Sequence, residues 1–100
     1  MNNISKKESE RTTNKKTDQA IRRRKLNEPV ASNIEKIIND GALSRPEVAR
    51  RAGLKPRQLT DMLNGGAYIK AVQILAIAEA LRVNVADLFE SDEDEENYII

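Results

Sequence analysis

The side chains with the most distinctive hydrogen-bonding chemistry lie in a short polar stretch, residues 55–64. Arg57 supplies a planar fork of donors, Gln58 an amide that both donates and accepts, and Asp61 an acceptor carboxylate. Guanidinium and amide groups make paired hydrogen bonds to flat edges that carry two polar atoms, as nucleobases do. Arg57 therefore suits the O6 and N7 acceptors of guanine, and Gln58 suits adenine.

Asp61 has more than one possible role in this pattern. Its carboxylate can accept a hydrogen bond from cytosine N4. Alternatively, it can orient Arg57, which lies four residues earlier and so one helical turn away. A third interpretation makes Arg57 and Asp61 an ordinary surface ion pair worth about 0–1 kcal/mol. The sequence alone leaves these alternatives open.

Several kinds of chemistry are excluded by composition. The chain has 100 residues with no Cys and no His, which removes disulfides, thiol and imidazole catalysis and the usual zinc sites. It also shows no phosphate-binding glycine loop, so we expect no enzyme, no cofactor and no metal. The longest apolar stretch, AVQILAIAEAL, is too short to span a bilayer. We therefore expect no membrane partner and a cytoplasmic location, on the nucleoid when DNA is bound.

Apolar residues recur at helical spacing through the middle of the chain, and no segment alternates with the period of a strand. In the first helix they form one inward face: Val30, Ile34, Ile37 and Ile38. The spacing predicts an all-α fold with helices over residues 30–40, 44–52, 56–64, 70–81 and 84–89. The fourth of these is apolar on most faces, so it is expected to be central and largely buried, with Leu75 in the core. In the fifth, Val85, Leu88 and Phe89 are expected to face inward.

The predicted helix ends carry recognisable signals. Gly41 is expected to end the first helix in the left-handed conformation. Ser44 can cap the second helix while Glu47 reaches back to complete a capping box. Pro56 suits the first position of the third helix, which Asn64 and Gly65 end.

Residues 45–62 form the arrangement that bears on function. A short helix with Val48, Ala49 and Ala52 inward is followed by Gly53, where a tight turn requires positive φ. Leu59 and Met62 then complete the contact from a second short helix. Short helix, glycine turn and short helix at this apolar spacing form the helix-turn-helix pattern.

The two segments EVARRAGLKPRQLTDMLNGG and VQILAIAEALRVNVADLF resemble the Cro/C1-type (XRE family) helix-turn-helix domains. The resemblance covers about residues 30–89 and implies a five-helix, lambda-repressor-like fold. Lys55 departs from the family, since it occupies the position of the usual Ser or Thr cap. The loop also departs, because Gly66, Ala67 and Tyr68 follow Gly65 where the family has a basic residue.

The resemblance implies that helix 55–64 lies in the major groove of double-stranded DNA. The expected base-contacting residues are Pro56, Arg57, Gln58 and Asp61. The expected phosphate-contacting residues are Ser44, Arg45, Lys55, Thr60 and Asn64. We also expect a homodimer on DNA, with Val85, Leu88 and the terminal NYII as candidate contacts.

Charge separates the chain into three parts: a basic flexible arm (residues 1–28), the helical domain (29–90) and an acidic tail (91–100). Residues 1–29 hold nine basic and four acidic residues, whereas residues 90–100 hold six acidic residues and no basic one. Because the arm has few apolar residues, we expect it to be disordered. Its piece TDQAIRRRKL can form a helical turn or two on a partner. Four of its residues are expected to contact DNA phosphates or the minor groove: Arg22, Arg23, Arg24 and Lys25.

Two functions remain for this sequence. The first is a sequence-specific DNA-binding transcriptional regulator, of repressor type, from a prokaryote or phage. The alternative is a helix-turn-helix module that binds protein, such as an antitoxin or an antagonist of another regulator. In that case the acidic tail would be the surface that binds the protein partner.

Overall fold

The computed structural model describes residues 17–91, which are helical and contain no strand. Helix α1 covers residues 17–26 of this part. It is followed by α2 (Val30–Asp40), α3 (Arg45–Arg51), α4 (Pro56–Asn64), α5 (Ala71–Leu81) and a 3₁₀ helix (Val85–Phe89). The all-α prediction is confirmed, and the predicted fifth helix is of the 3₁₀ type. None of the helices in the described part is long and apolar enough to cross a membrane.

The core is aliphatic and lies where α2, α3, α4 and α5 meet. Its largest fully buried side chains come from every element except α1 and are Ile34, Val48, Leu59, Met62, Leu63, Ile77 and Leu88. Ala49 of α3 and Ala78 of α5 are also buried, and their small side chains let the helices approach closely. The predicted inward faces of α2, α3 and α4 are therefore confirmed, although Ile37 and Ala52 are only partly buried.

The apolar residues of α5 and the 3₁₀ helix are less buried than predicted. Val72 and Leu75 are 70% and 57% exposed, so the expectation that Leu75 belongs to the core was wrong. Phe89 is 51% exposed and Val85 37%, which leaves Leu88 as the buried residue of the 3₁₀ helix. The physical reason is geometric. A helix that contacts its neighbours along one side leaves the other side in solvent, whatever its composition.

Helix α1 packs on the domain, which differs from the flexible arm expected for residues 1–28. The docking face is formed by Ala20, Arg23, Arg24 and Asn27, at the i, i+3, i+4, i+7 spacing of one helical face. Asn27 is 6% exposed and is the buried polar residue of the described core. Residues 1–16 and 92–100, the rest of the predicted arm and nearly all of the tail, lie outside the described residues.

Asn27 explains why this polar segment docks. Its Nδ2 donates to Met62 O at 3.1 Å and to Ala67 O at 2.9 Å, and its Oδ1 accepts from Ile69 N at 3.0 Å. The first acceptor belongs to α4 and the other two groups to the loop that follows it. One amide therefore satisfies three backbone groups that would otherwise need water, and it ties α1 to this loop.

The helix ends differ from prediction at two places. Gly41 is extended, with φ −98° and ψ −178°, so it does not form the predicted left-handed cap. The left-handed residue that sequence analysis missed is Arg82, which ends α5 with φ 58°. A neighbouring backbone bond, Val83 N to Ala78 O at 3.0 Å, holds the chain in this turn.

The predicted capping box of α3 is half formed. Ser44 Oγ accepts from Glu47 N at 3.3 Å, as predicted. The Glu47 carboxylate does not reach back to Ser44; it accepts from Arg51 Nε at 3.0 Å and from the guanidinium of Arg50. Two cations one turn away compete successfully with a single backbone N–H, because charged pairs make the stronger hydrogen bonds.

Glu47 is predicted to make stability depend on pH in a defined range. Hydrogen bonds from Arg50 and Arg51 lower the pKa of its carboxyl from 4.5 to about 2. A lowered pKa in the folded state stabilises the fold above pH 4.5, and this contribution is lost as the pH falls towards 2. We expect Glu47→Gln to flatten the dependence of the melting temperature on pH between these values. Glu79→Gln, which removes an exposed carboxylate without an ion pair to the described residues, should retain the wild-type slope.

Candidate nucleic-acid interface

Helices α3 and α4 form a helix-turn-helix unit around Gly53. This glycine has φ 75°, and a Cβ placed on it would meet nothing within 4 Å. Glycine therefore suits this turn because it adopts positive φ easily, and not because a larger side chain would clash. Leu54 N donates to Ala49 O at 2.8 Å across the turn. Buried Val48 and Ala49 on one helix and Leu59 and Met62 on the other fix how α4 lies on the domain.

The face of α4 opposite its buried residues is open to solvent. Pro56, Arg57, Gln58 and Asn64 are exposed, and Asp61 is half-buried. Arg57 and Asn64 are seven residues apart and therefore lie on the same face, about 10.5 Å from each other along the axis. A helix with its side chains is about 10–12 Å across, which fits the DNA major groove, about 12 Å wide.

Arg57 forms no ion pair within 4.0 Å with any residue of 17–91, and Asp61 forms none either. The surface pair considered from the sequence is therefore not formed in this structure. The backbone oxygen of Asp61 accepts from Gly66 N at 2.7 Å, so Asp61 takes part in ending α4. The guanidinium of Arg57 keeps all of its donors available for a ligand.

Gln58 has a structural contact that the sequence did not reveal. Its Oε1 accepts from Lys55 N at 2.8 Å and so caps the start of α4, where Lys55 cannot provide a side-chain acceptor. Gln73 makes the same contact with Lys70 N at 2.9 Å at the start of α5. A paired contact with adenine needs both Oε1 and Nε2 of Gln58, so base contact competes with capping.

Substitutions at these two glutamines separate capping from base contact. We predict that Gln58→Ala and Gln73→Ala each lower the free energy of unfolding by about 0.5–1.5 kcal/mol, because each removes one capping bond. Gln58→Glu keeps an acceptor for Lys55 N but loses the donor, so it should retain stability and lose preference for adenine. Selection from a random duplex pool measures the preference. If Gln58→Glu and Gln73→Ala both select the same duplex sequence as the wild type, Gln58 caps α4 and contacts no base.

The residues assigned to phosphate contact lie on different sides of the helix-turn-helix unit. Ser44 and Lys55 are exposed at the starts of α3 and α4, and Thr60 is half-buried. Arg45 is half-buried, and its Nη2 lies 3.9 Å from Glu35 Oε2. Asn64 is exposed at the end of α4, where it lines a groove with Thr17, Ile21 and Arg24 of α1.

The four basic residues assigned to the arm fall into two pairs. Arg23 Nε donates to Gly65 O at 2.6 Å. Arg24 Nη2 lies 3.0 Å from Glu35 Oε1, and its Nε lies 3.5 Å from Glu28 Oε1. These two arginines hold α1 on the domain. Arg22 and Lys25 are exposed and form no ion pair with a described residue, so they remain available to a ligand.

Few signals in the sequence indicate that Asn27, Arg23 and Arg24 hold α1 on the domain. A hydrophobic pattern marks apolar faces, and three of the four residues on this docking face are polar. The available signals were Ala20, a small residue on the same face, and Gly65. A Cβ on Gly65 would overlap Ala20 O and would lie 3.1 Å from Arg24 Cβ, so α1 requires glycine there.

Comparison with known proteins agrees with this geometry. The family model of the Cro/C1-type HTH DNA-binding domain matches residues 33–94, more than half of the chain. No curated protein and no solved structure matches the chain. The match begins within α2, so α1 is an addition to the part that the family describes. The chain belongs to the family of Cro/C1-type helix-turn-helix DNA-binding domains.

Proposed function

We propose that this protein is a sequence-specific transcriptional regulator, of repressor type and from a prokaryote or phage, that acts on DNA in the cytoplasm. The main support is the open face of α4. Arg57 is exposed and unpaired among the described residues, while Leu59, Met62 and Leu63 on the opposite side are buried. Placed in the major groove, Arg57 would contact guanine, with Gln58 and Asp61 beside it.

The proposal includes a homodimer, since two copies on half-sites one helical turn apart, about 34 Å, double the sequence that is read. Exposed Val72 and Leu75, one turn apart on α5, support an apolar contact there. Exposed Val85 and Phe89 are further candidates, whereas Leu88 is fully buried and unsuitable. The predicted NYII contact lies outside the described residues.

The test is selection of bound duplexes from a random library by the full chain, followed by sedimentation of the complex. Enrichment of a palindrome with guanine in each half, and two chains per duplex, would support the proposal. Exposed Val72 and Leu75 also favour the alternative, a module that binds another protein. Absence of any enriched sequence, together with a tight protein partner, would favour that alternative.

A further inference from the structure

The three residues that follow Gly65 in the loop after α4 are not basic, and the cation of this loop, Lys70, comes only at its end. Helix α1 places further cations beside these three residues. Gln19, Arg22, Arg23 and Leu26 of α1 line an open groove with Tyr68 of the loop. No carboxylate lines this groove among the described residues. Its polar groups are two guanidinium groups, an amide and a phenol, which all donate hydrogen bonds.

The position of the groove follows from the contacts of α1. Arg23 is fixed by Gly65 O, and Asn27 is fixed by Ala67 O and Ile69 N, which lie on either side of Tyr68. Tyr68 is 55% exposed, and Arg22 is exposed one residue before Arg23. The groove is therefore built by the docked helix together with the loop, and it is open to a ligand.

The ligand chemistry follows from charge and from distance. With α4 in a major groove only about 12 Å wide, residues that flank the end of this helix lie within reach of the rim of the groove. The sugar-phosphate backbone forms this rim. An open groove with cationic donors and no carboxylate suits a phosphodiester, since guanidinium groups bind phosphate oxygens in pairs.

We propose that Arg22 and Tyr68, in the groove held open by Arg23, bind one backbone phosphate of the DNA at the rim of the major groove. This site rests on the proposed docking of α4. It supplies from α1 a cation beside Tyr68, and it assigns DNA contact to Arg22 while Arg23 and Arg24 hold the helix in place. Lys25 was also expected to contact DNA, but it lies beside Glu28, Pro29 and Ser91 and does not line this groove. The proposal therefore assigns it no phosphate, and Lys25 becomes the control on the same helix.

The experiment compares the full-length wild type with Arg22→Gln and Lys25→Gln on the selected duplex at several salt concentrations. We expect Arg22→Gln to lower the slope of log K against log salt by about 0.9, the value for one phosphate contact. The ratio of the wild-type affinity to the affinity of Arg22→Gln should then fall about 3.5-fold between 50 and 200 mM salt. Lys25→Gln should retain the wild-type slope. Equal slopes for the two variants would overturn the proposal.

A second measurement identifies the phosphate. Neutral methylphosphonate groups replace the backbone phosphates of the duplex one at a time. One replacement should weaken the wild type and Lys25→Gln but leave Arg22→Gln unaffected. If the wild type selects a sequence but no replacement shows this difference, the phosphate site is refuted and the proposed function stands. If the wild type selects no sequence, the proposed function itself fails.

Discussion

Replacing Arg57 by Ala is expected to remove most of the sequence preference of this protein and leave its fold intact. The side chain is exposed, forms no ion pair with residues 17–91 and lies outside the core. A paired contact with guanine gives about 1–3 kcal/mol of discrimination, or about 5- to 150-fold in relative affinity. The measurement is binding to the selected duplex and to one in which guanine is changed, with the melting temperature measured in parallel.

Arg57→Lys is the matched control for this prediction. Lysine keeps the charge, so general attraction to DNA and its salt dependence should persist. It loses the planar fork, so the preference for guanine should fall. Unchanged selection of sequence by Arg57→Ala would mean that α4 does not read bases through this residue, and the assignment of α4 would then have to be abandoned.

The largest expected effect on stability belongs to Gly65. Both Gly65 and Gly53 have positive φ, 84° and 75°, so alanine at either position costs about 1–2 kcal/mol in backbone conformation. At Gly53 the added Cβ meets nothing within 4 Å. At Gly65 it overlaps the backbone oxygen of Ala20, which can move only if α1 moves. Gly65→Ala should therefore also undock α1, with loss of the bonds made by Arg23 and Asn27.

We expect Gly65→Ala to lower the free energy of unfolding by about 1–3 kcal/mol more than Gly53→Ala does. The difference arises because undocking of α1 breaks several hydrogen bonds worth about 1 kcal/mol each. Chemical unfolding of Gly65→Ala and Gly53→Ala measures the difference. Hydrogen exchange of the α1 amides shows whether the helix has left the domain. Asn27→Ala provides an independent route to the same state without backbone strain. Equal destabilisation by the two glycine substitutions would show that α1 does not depend on contact with Gly65.

Both predictions affect how the contribution of the basic arm to DNA binding should be tested. Removal of residues 1–28 as a test of the basic arm would also remove Asn27, which holds the loop after α4. Reduced DNA affinity after such a deletion would combine lost charge with a disturbed loop. Single substitutions at Arg22 and Lys25 avoid this problem, because neither side chain takes part in docking.

The sequence by itself determined the parts of the fold where apolar spacing is unambiguous. Ile34 and Ile38 of α2, Val48 and Ala49 of α3, and Leu59 and Met62 of α4 are buried as their periodicity predicts. The local backbone was predicted equally well at Gly53, which has the expected positive φ, and at Gly65, which ends α4 as expected. The exposed face of α4 followed from the same periodicity, because a helix with one buried side presents its opposite side to solvent.

Only the tertiary structure decided the contacts that depend on which helix meets which. Val72 and Leu75 are as apolar as core residues, but no described element covers them, so they are exposed. Gln58 appeared to be a free amide until its capping of Lys55 was seen. The docking of α1 depends on Asn27 and Arg23, whose bonds reach partners 35 and 42 residues away, and on Arg24, which bonds to Glu35 of α2. Hydrophobic periodicity carries no information about polar contacts of this kind, because their free energy depends on geometry that forms only when the chain has folded.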